Sequence, residues 1–136
     1  MRKYLLDTAP LAAFLLGRRK AVETITPWLN NKEVVTSIIV DGEVDEYLKI
    51  LPNYSLLHLQ LRRQLRAIKP CAITYSIMEE YADIRMRMRA PFGKGLIGDA
   101  DTMIAATARE YSLTLVTADS HFDRVPGLVT ARLTAK

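Results

Sequence analysis

Cysteine is almost missing from this 136-residue chain: Cys71 stands alone, which excludes an internal disulfide framework and a cysteine-rich zinc site. That usage fits a reducing, cytoplasmic setting. No apolar run approaches the roughly 20 residues a membrane span requires. Met1-Arg2-Lys3 leads into a short apolar stretch that Asp7 interrupts, which argues against a signal peptide. The six glycines form neither a phosphate-binding loop nor a dinucleotide fingerprint. Histidine is scarce too, with two copies. Ser120 and His121 are adjacent, a poor geometry for a nucleophile and its base, so His121 reads as structural or at most close to substrate. Cys71, in an expected strand, reads as core rather than nucleophile. Repeats, low-complexity tracts and linkers are lacking, so residues 1–136 are expected to form one domain.

What the chain has is an ordinary globular mixture, 49% hydrophobic and 25% charged, enough to bury a real core. Its net charge of +4 is unevenly placed. Residues 54–94 hold eight bases against three acids, a net +5, while the remainder carries eleven bases and twelve acids, a net −1. A basic block beside acid clusters suggests a polyanionic ligand, nucleic acid before others.

The most informative stretch is Gly98-Asp99-Ala100-Asp101-Thr102-Met103-Ile104-Ala105-Ala106-Thr107-Ala108. Asp99 sits where an N-cap is wanted. Asp101 falls in the first turn, and the positions three, four and seven further on are Ile104, Ala105 and Ala108. Asp101 is therefore expected on the buried side of its helix, where a carboxylate is expensive unless a cation or donors offset it.

Around that stretch the pattern alternates between strands and helices. Residues 3–7, Lys-Tyr-Leu-Leu-Asp, read as a short buried strand ending in the carboxylate of Asp7, followed by Thr8 and by Pro10 in the first turn of a helix that Gly17 stops. A helix is expected over Ala21–Leu29, packing Val22, Ile25 and Trp28, then a strand at Val34-Val35-Thr36. Ser37 is placed to cap a helix on which Glu43 lies between Val40 and Tyr47, on the apolar face. Asp41 is the weaker candidate there, and Gly42 is expected to permit close packing. Tyr54–Ile68 should form a helix with Leu57, Leu61, Leu65 and Ile68 as its stripe, and Cys71-Ala72-Ile73 a third strand. Thr74 or Ser76 starts a helix over Ile77–Met88, and a breaker-rich loop from Ala90 to Gly95 could shape a groove rim. Leu113–Thr117 is a clean strand with Asp119 just past its end, and His121-Phe122 suggests one helical turn. Leu128-Val129-Thr130 would be the last strand, with the final residues frayed. This alternation predicts a parallel sheet covered by helices on both faces.

Asp7, Glu43, Asp101 and Asp119 then fall at or near one edge of that sheet, where residues distant in sequence converge. Clustered carboxylates repel one another, and a hard divalent cation removes the conflict. Oxygen-only ligands favour Mg²⁺ or Mn²⁺ over zinc. Such a site suits phosphodiester hydrolysis: the cation acidifies a water and steadies the leaving oxygen, while a free carboxylate takes the proton. The basic block would hold phosphates, with Arg85, Arg89 and Lys94 as preferred contacts because they lead into the loop before the acid helix.

The chain resembles the PIN domain ribonucleases, and closely the VapC toxins of toxin–antitoxin pairs. The likeness runs from Tyr4-Leu5-Leu6-Asp7-Thr8 to Asp119-Ser120-His121-Phe122-Asp123-Arg124-Val125-Pro126-Gly127-Leu128, and Leu96–Ala108 is its most specific part. By this resemblance Asp101 matches the family's metal acid and Asp99 an accessory. Thr36–Glu43 resembles the segment carrying the family's glutamate, so Glu43 takes that role, and Asp119 supplies the fourth carboxylate with Thr117 helping to hold the site. The resemblance implies a three-layer α/β/α fold and a Mg²⁺- or Mn²⁺-dependent endoribonuclease acting on structured RNA such as tRNA or rRNA. It also implies a homodimer silenced by a cognate VapB-type antitoxin whose tail enters the groove. One departure stands out: many relatives have Asn after the Asp-Thr pair, whereas Ala9 follows here and offers no side-chain hydrogen bond.

Two other functions fit parts of the pattern. A non-catalytic PIN-like module would bind RNA or a partner without cutting, against which all four acids are present. A phosphoacceptor signalling domain also places acids at strand ends, but it needs a lysine after a late strand, and Thr117-Ala118-Asp119 supplies none.

Overall fold

The computed structural model describes residues 1–134, and the fraying expected of the final residues lies, for positions 135 and 136, outside the described residues. Five strands form one sheet: β1 (Tyr4–Leu6), β2 (Val34–Ser37), β3 (Lys69–Cys71), β4 (Thr114–Thr117) and β5 (Thr130–Arg132). Their order is β3-β2-β1-β4-β5, and every neighbouring pair is parallel. Between them lie α1 (Thr8–Leu15), α2 (Arg19–Asn30), α3 (Ile38–Lys49), α4 (Tyr54–Gln64), α5 (Tyr75–Met88) and α6 (Asp99–Glu110). A 3₁₀ segment, Ser120–Arg124, follows β4. None of the described helices is long and apolar enough to cross a membrane.

The strand order sets the layers. From β1 the chain steps outward twice, to β2 and then β3, and right-handed crossovers put α1–α4 on one face. The return from β3 across the sheet to β4 reverses direction, so α5 and α6 cover the other face. Helix contacts agree: α1 packs on α2 and α3, α3 on α4, and α5 on α6. The direction reverses between β1 and β4, and a crevice opens there beyond the strands' carboxyl ends.

The core explains the central strands. Leu5, Leu6, Leu115 and Val116 are wholly buried, as a parallel strand covered on both faces requires, and each such side chain contributes about 1.5–3 kcal/mol. The four-residue stripe Leu57, Leu61, Leu65 and Ile68 is buried as its spacing predicts, although the helix itself stops at Gln64. Trp28 stacks on Tyr4 with ring centroids 3.9 Å apart. Ser37 and Thr74 cap α3 and α5, their side chains accepting from the Ile39 and Ile77 amides at 3.0 and 3.2 Å.

Several expected boundaries move. The third strand is Lys69–Cys71 rather than 71–73, because it is an edge strand and its outer side tolerates the proline at position 70. The last strand is Thr130–Arg132, and Val129, expected inside it, is largely exposed. Asp99 caps nothing: α6 has Gly98 at its N-cap, and the Gly98 carbonyl accepts from both the amide and the hydroxyl of Thr102, at 2.9 and 2.8 Å. Gly42 is exposed, and a Cβ there would meet nothing, so packing does not require it. The close approach is at Gly93, where a Cβ would collide with the Arg87 carbonyl at the end of α5.

Candidate active site

The crevice between β1 and β4 is a cleft of about 840 Å³, lined among others by Asp7, Thr8, Glu43, Asp101 and Asp119. Four chain segments deliver these groups. Asp7 ends β1, and Glu43 stands in the second turn of α3. Asp101 is in the first turn of α6, and Asp119 follows β4 by two residues. The acids expected to converge line one cleft.

Two threonines fix two of the carboxylates. The Thr117 hydroxyl donates to Asp7 Oδ2 at 2.7 Å and accepts from the Asp119 amide at 3.0 Å, tying the ends of β1 and β4 together. The Thr8 hydroxyl donates to Glu43 Oε1 at 2.5 Å, linking α1 to α3. Beneath them, the buried Thr36 hydroxyl donates to the Leu6 carbonyl at 2.7 Å and steadies the strand that presents Asp7. Asp119 Oδ1 accepts from the His121 amide at 2.9 Å, and the His121 ring nitrogen Nδ1 lies 3.1 Å from the same oxygen. No hydrogen bond to the Asp101 carboxylate occurs among the described residues.

The electrostatics follow from crowding. Burial, then the charges of Asp7, Glu43 and Asp119, push Asp101 up to about 6, and only His121 opposes them. Asp7 is 7% exposed; burial raises its pKa, the Thr117 hydroxyl and Thr8 amide pull it down, and Glu43 and Asp119 push it up again. Carboxylates held together against such repulsion fit a hard divalent cation. Potential ligand atoms of Asp101, Asp119 and His121 lie within 4.8 Å of one another, so His121 stands closer to the acids than its sequence context suggested.

The other expected contacts fall elsewhere. Asp99 is mostly exposed and pairs with Arg85 at 2.8 Å, outside the cleft lining. Arg85, Arg89 and Lys94, and with them the 90–95 loop, do not line the cleft. The basic block does not form one surface, because α4 and α5 lie on opposite faces of the sheet. Three of its arginines are spent on local acids: Arg62 on Asp41, Arg85 on Asp99 and Arg87 on Asp83. Asp41 is buried toward Arg62, away from the cleft, with one carboxylate oxygen unpartnered. The cleft has a different cation, Arg18, in the turn between α1 and α2. Sequence reasoning missed it because only the fold brings that turn to the acids.

A search of curated proteins returns no significant match, but structural likeness is extensive. A chain of VapBC2 from Rickettsia felis, solved bound to a DNA fragment from its promoter, matches with a TM-score of 0.83 at 20% identity, over 96% of this chain and 98% of that one. A chain of DNA-bound VapBC from Salmonella typhimurium matches at 0.85 and 18% identity, over 97% and 98%. One of FitAcB from Neisseria gonorrhoeae matches at 0.75 and 26% identity, over 93% and 95%. The PIN domain profile matches residues 4–128, a span that runs from the strand before Asp7 to beyond Asp119. PIN domains are generally nucleases, and a parallel sheet with acids gathered at its switch point is what this chain builds: it belongs to the PIN domain family.

Proposed function

We propose that this chain is a Mg²⁺- or Mn²⁺-dependent endoribonuclease, the toxin of a VapBC-type pair, hydrolysing RNA phosphodiester bonds with Asp7, Glu43, Asp101 and Asp119. The observation that carries the proposal is the meeting of these four carboxylates, from four segments, in one cleft. When bound there, the cation neutralises the acids and the scissile phosphate and makes water more acidic. The chain's own residues do the rest. Thr117 holds Asp7 and Thr8 holds Glu43 in fixed orientations, so neither must reorganise. Asp101 accepts no hydrogen bond from the described residues and is left to meet the cation, while a carboxylate the cation does not fully engage takes the proton of the attacking water. Asp99 is at most remote support through Arg85, and Arg89 and Lys94 would meet RNA only beyond the cleft.

A cognate VapB-type antitoxin is the proposed protein partner, in line with the complexes whose chains share this fold, and tRNA or rRNA the proposed target. The chain is read as one cytoplasmic PIN domain that forms a homodimer. The exposed face of α5 favours the dimer. Tyr75, Met78, Ala82 and Met86 share that face, and Met78 and Met86 stand symmetrically about Ala82. Crossed antiparallel with its copy at Ala82, the helix sets Met78 on Met86 twice over, as a two-fold contact demands.

The test is cleavage of total cellular RNA by the purified chain with Mg²⁺, with Mn²⁺ and with EDTA, beside Asp101→Ala. Metal-dependent cutting absent from the variant is expected. Cutting that survives in Asp101→Ala removes the site assignment. No cutting by folded, antitoxin-free protein that still binds RNA favours the non-catalytic module.

A further inference from the structure

The cleft extends beyond its acids. Thr8, Ala9, Ala12, Ala13 and Leu16 form one face of α1 along its length, and Arg18 stands just past the helix end. At 1.5 Å per residue α1 ends at Leu15 roughly 12 Å along from Asp7, and there the chain turns through Gly17, with the Arg18 amide donating back to the Ala13 carbonyl at 2.9 Å. Glu43, Glu46 and Tyr47 of α3 also line the cleft. Tyr47 follows Glu43 by one turn, about 6 Å, and is 41% exposed although the spacing of apolar residues places it with the core. Both helices run back from the same edge of a parallel sheet, so the two residues lie on the same side of the acids, Arg18 further out. Arg18 makes no ion pair among the described residues, although Glu46 lines the same cleft. Alanines 9, 12 and 13 leave shallow apolar space between the two helices.

This arrangement has the parts of a nucleotide subsite: an apolar strip, a phenol ring and an unpaired guanidinium, in sequence outward from a phosphodiester-cutting centre. Aromatic rings stack on unpaired bases whatever their identity, and guanidinium groups clamp phosphates. A base paired in a duplex keeps its face against its neighbours and cannot offer it to a side chain. The strip also gives Ala9 a role, since a larger polar residue there would narrow the space.

We infer that this trough seats one unpaired nucleotide next to the scissile phosphate, its base against Tyr47 and the alanine strip and its outer phosphate on Arg18. The inference rests on the nuclease reading for its substrate. It makes Tyr47 and Arg18 specificity-determining residues rather than catalytic ones.

The experiment measures binding by fluorescence anisotropy, in Mg²⁺ and in an Asp101→Asn background that silences cutting. The probes are a fluorescein-labelled hexaadenylate, the same hexamer with its bases removed, and an RNA duplex. Tyr47→Ala should weaken hexaadenylate binding about tenfold, Tyr47→Phe should not, and neither should alter binding of the baseless hexamer. Arg18→Ala should weaken both hexamers and lower the salt dependence by about one phosphate contact. Equal binding of hexaadenylate by the Asp101→Asn protein with and without Tyr47→Ala overturns the inference, as does a preference for the duplex or no binding at all. Cleavage of hexaadenylate by the same variants with Asp101 restored separates the two readings. Base-dependent binding without cleavage by the unaltered chain removes the nuclease and keeps the trough. Cleavage with an unchanged KM in Tyr47→Ala removes the trough and keeps the nuclease.

Discussion

Thr117 reaches across 110 positions of sequence to donate its hydroxyl hydrogen to Asp7 at 2.7 Å, and both side chains are buried. The same oxygen accepts from the Asp119 amide, so one small side chain sets the spacing of two acids. Thr117→Val keeps the shape and removes the donor. It should weaken Mg²⁺ binding about 10- to 100-fold, as loss of a ligand's supporting hydrogen bond does. It should also cost about 1.5–3 kcal/mol, the range for a bond to a charged group. Isothermal titration with Mg²⁺ and urea unfolding read the two effects. Unchanged Mg²⁺ affinity would take Thr117 out of the site.

The crowding around Asp101 gives a pH dependence of definite sign. Its pKa is raised from 3.8 to about 6 by folding, so the metal-free native state holds the proton more tightly than the unfolded chain. Metal-free stability should therefore fall as pH rises from about 4 to about 6 and level off above, with Asp7 acting in the same direction. Mg²⁺ competes with that proton, so its stabilising effect should be small near about pH 5 and complete by about pH 7.5. Melting curves with Mg²⁺ and with EDTA across this range check it. Asp101→Asn should flatten both trends.

Glu43 and Asp41, two residues apart on α3, should behave oppositely. Glu43→Gln should lower Mg²⁺ affinity and cleavage by at least about tenfold, since Glu43 lines the cleft under the Thr8 hydroxyl. Asp41→Asn should leave both unchanged and shift stability by no more than about 1 kcal/mol, because Asp41 faces a half-exposed Arg62. Parallel titrations and cleavage time courses compare the pair. Equal losses would move the boundary of the site.

If α5 pairs with a copy of itself, Ala82→Arg places two like charges at the crossing. The protein should become a monomer at micromolar concentration in analytical ultracentrifugation while keeping its melting temperature within a few degrees. A monomeric unaltered chain would show that α5 is free.

The sequence carried the sheet and its acids because both leave local marks. Short β-branched runs announced β2 and β4; Asp7 and Asp119 stood at predicted strand ends, Asp101 on a small-residue helix face and Glu43 as the odd carboxylate on an apolar one. What escaped it depends on distance. Asp99 looked like a cap by position, but Arg85 of α5, packed beside it, offers a charge instead. The basic block looked continuous along the chain, and the reversal of strand order sent its halves to opposite faces. Tyr47 has the spacing of a core residue, yet it lines the open cleft. Arg18 has no local signature at all. Pro70 misled the third strand's boundary, since proline inside a strand reads as a break until the strand is known to be at an edge.

That proline has a wider consequence. The β3 margin of the sheet is three residues long and lacks the amide hydrogen of Pro70, and the β5 margin is equally short. Neither offers the row of amides and carbonyls on which a foreign strand could zip. Fibril-like stacking of folded molecules is thereby discouraged, and a partner that docks firmly must do so through the helical faces.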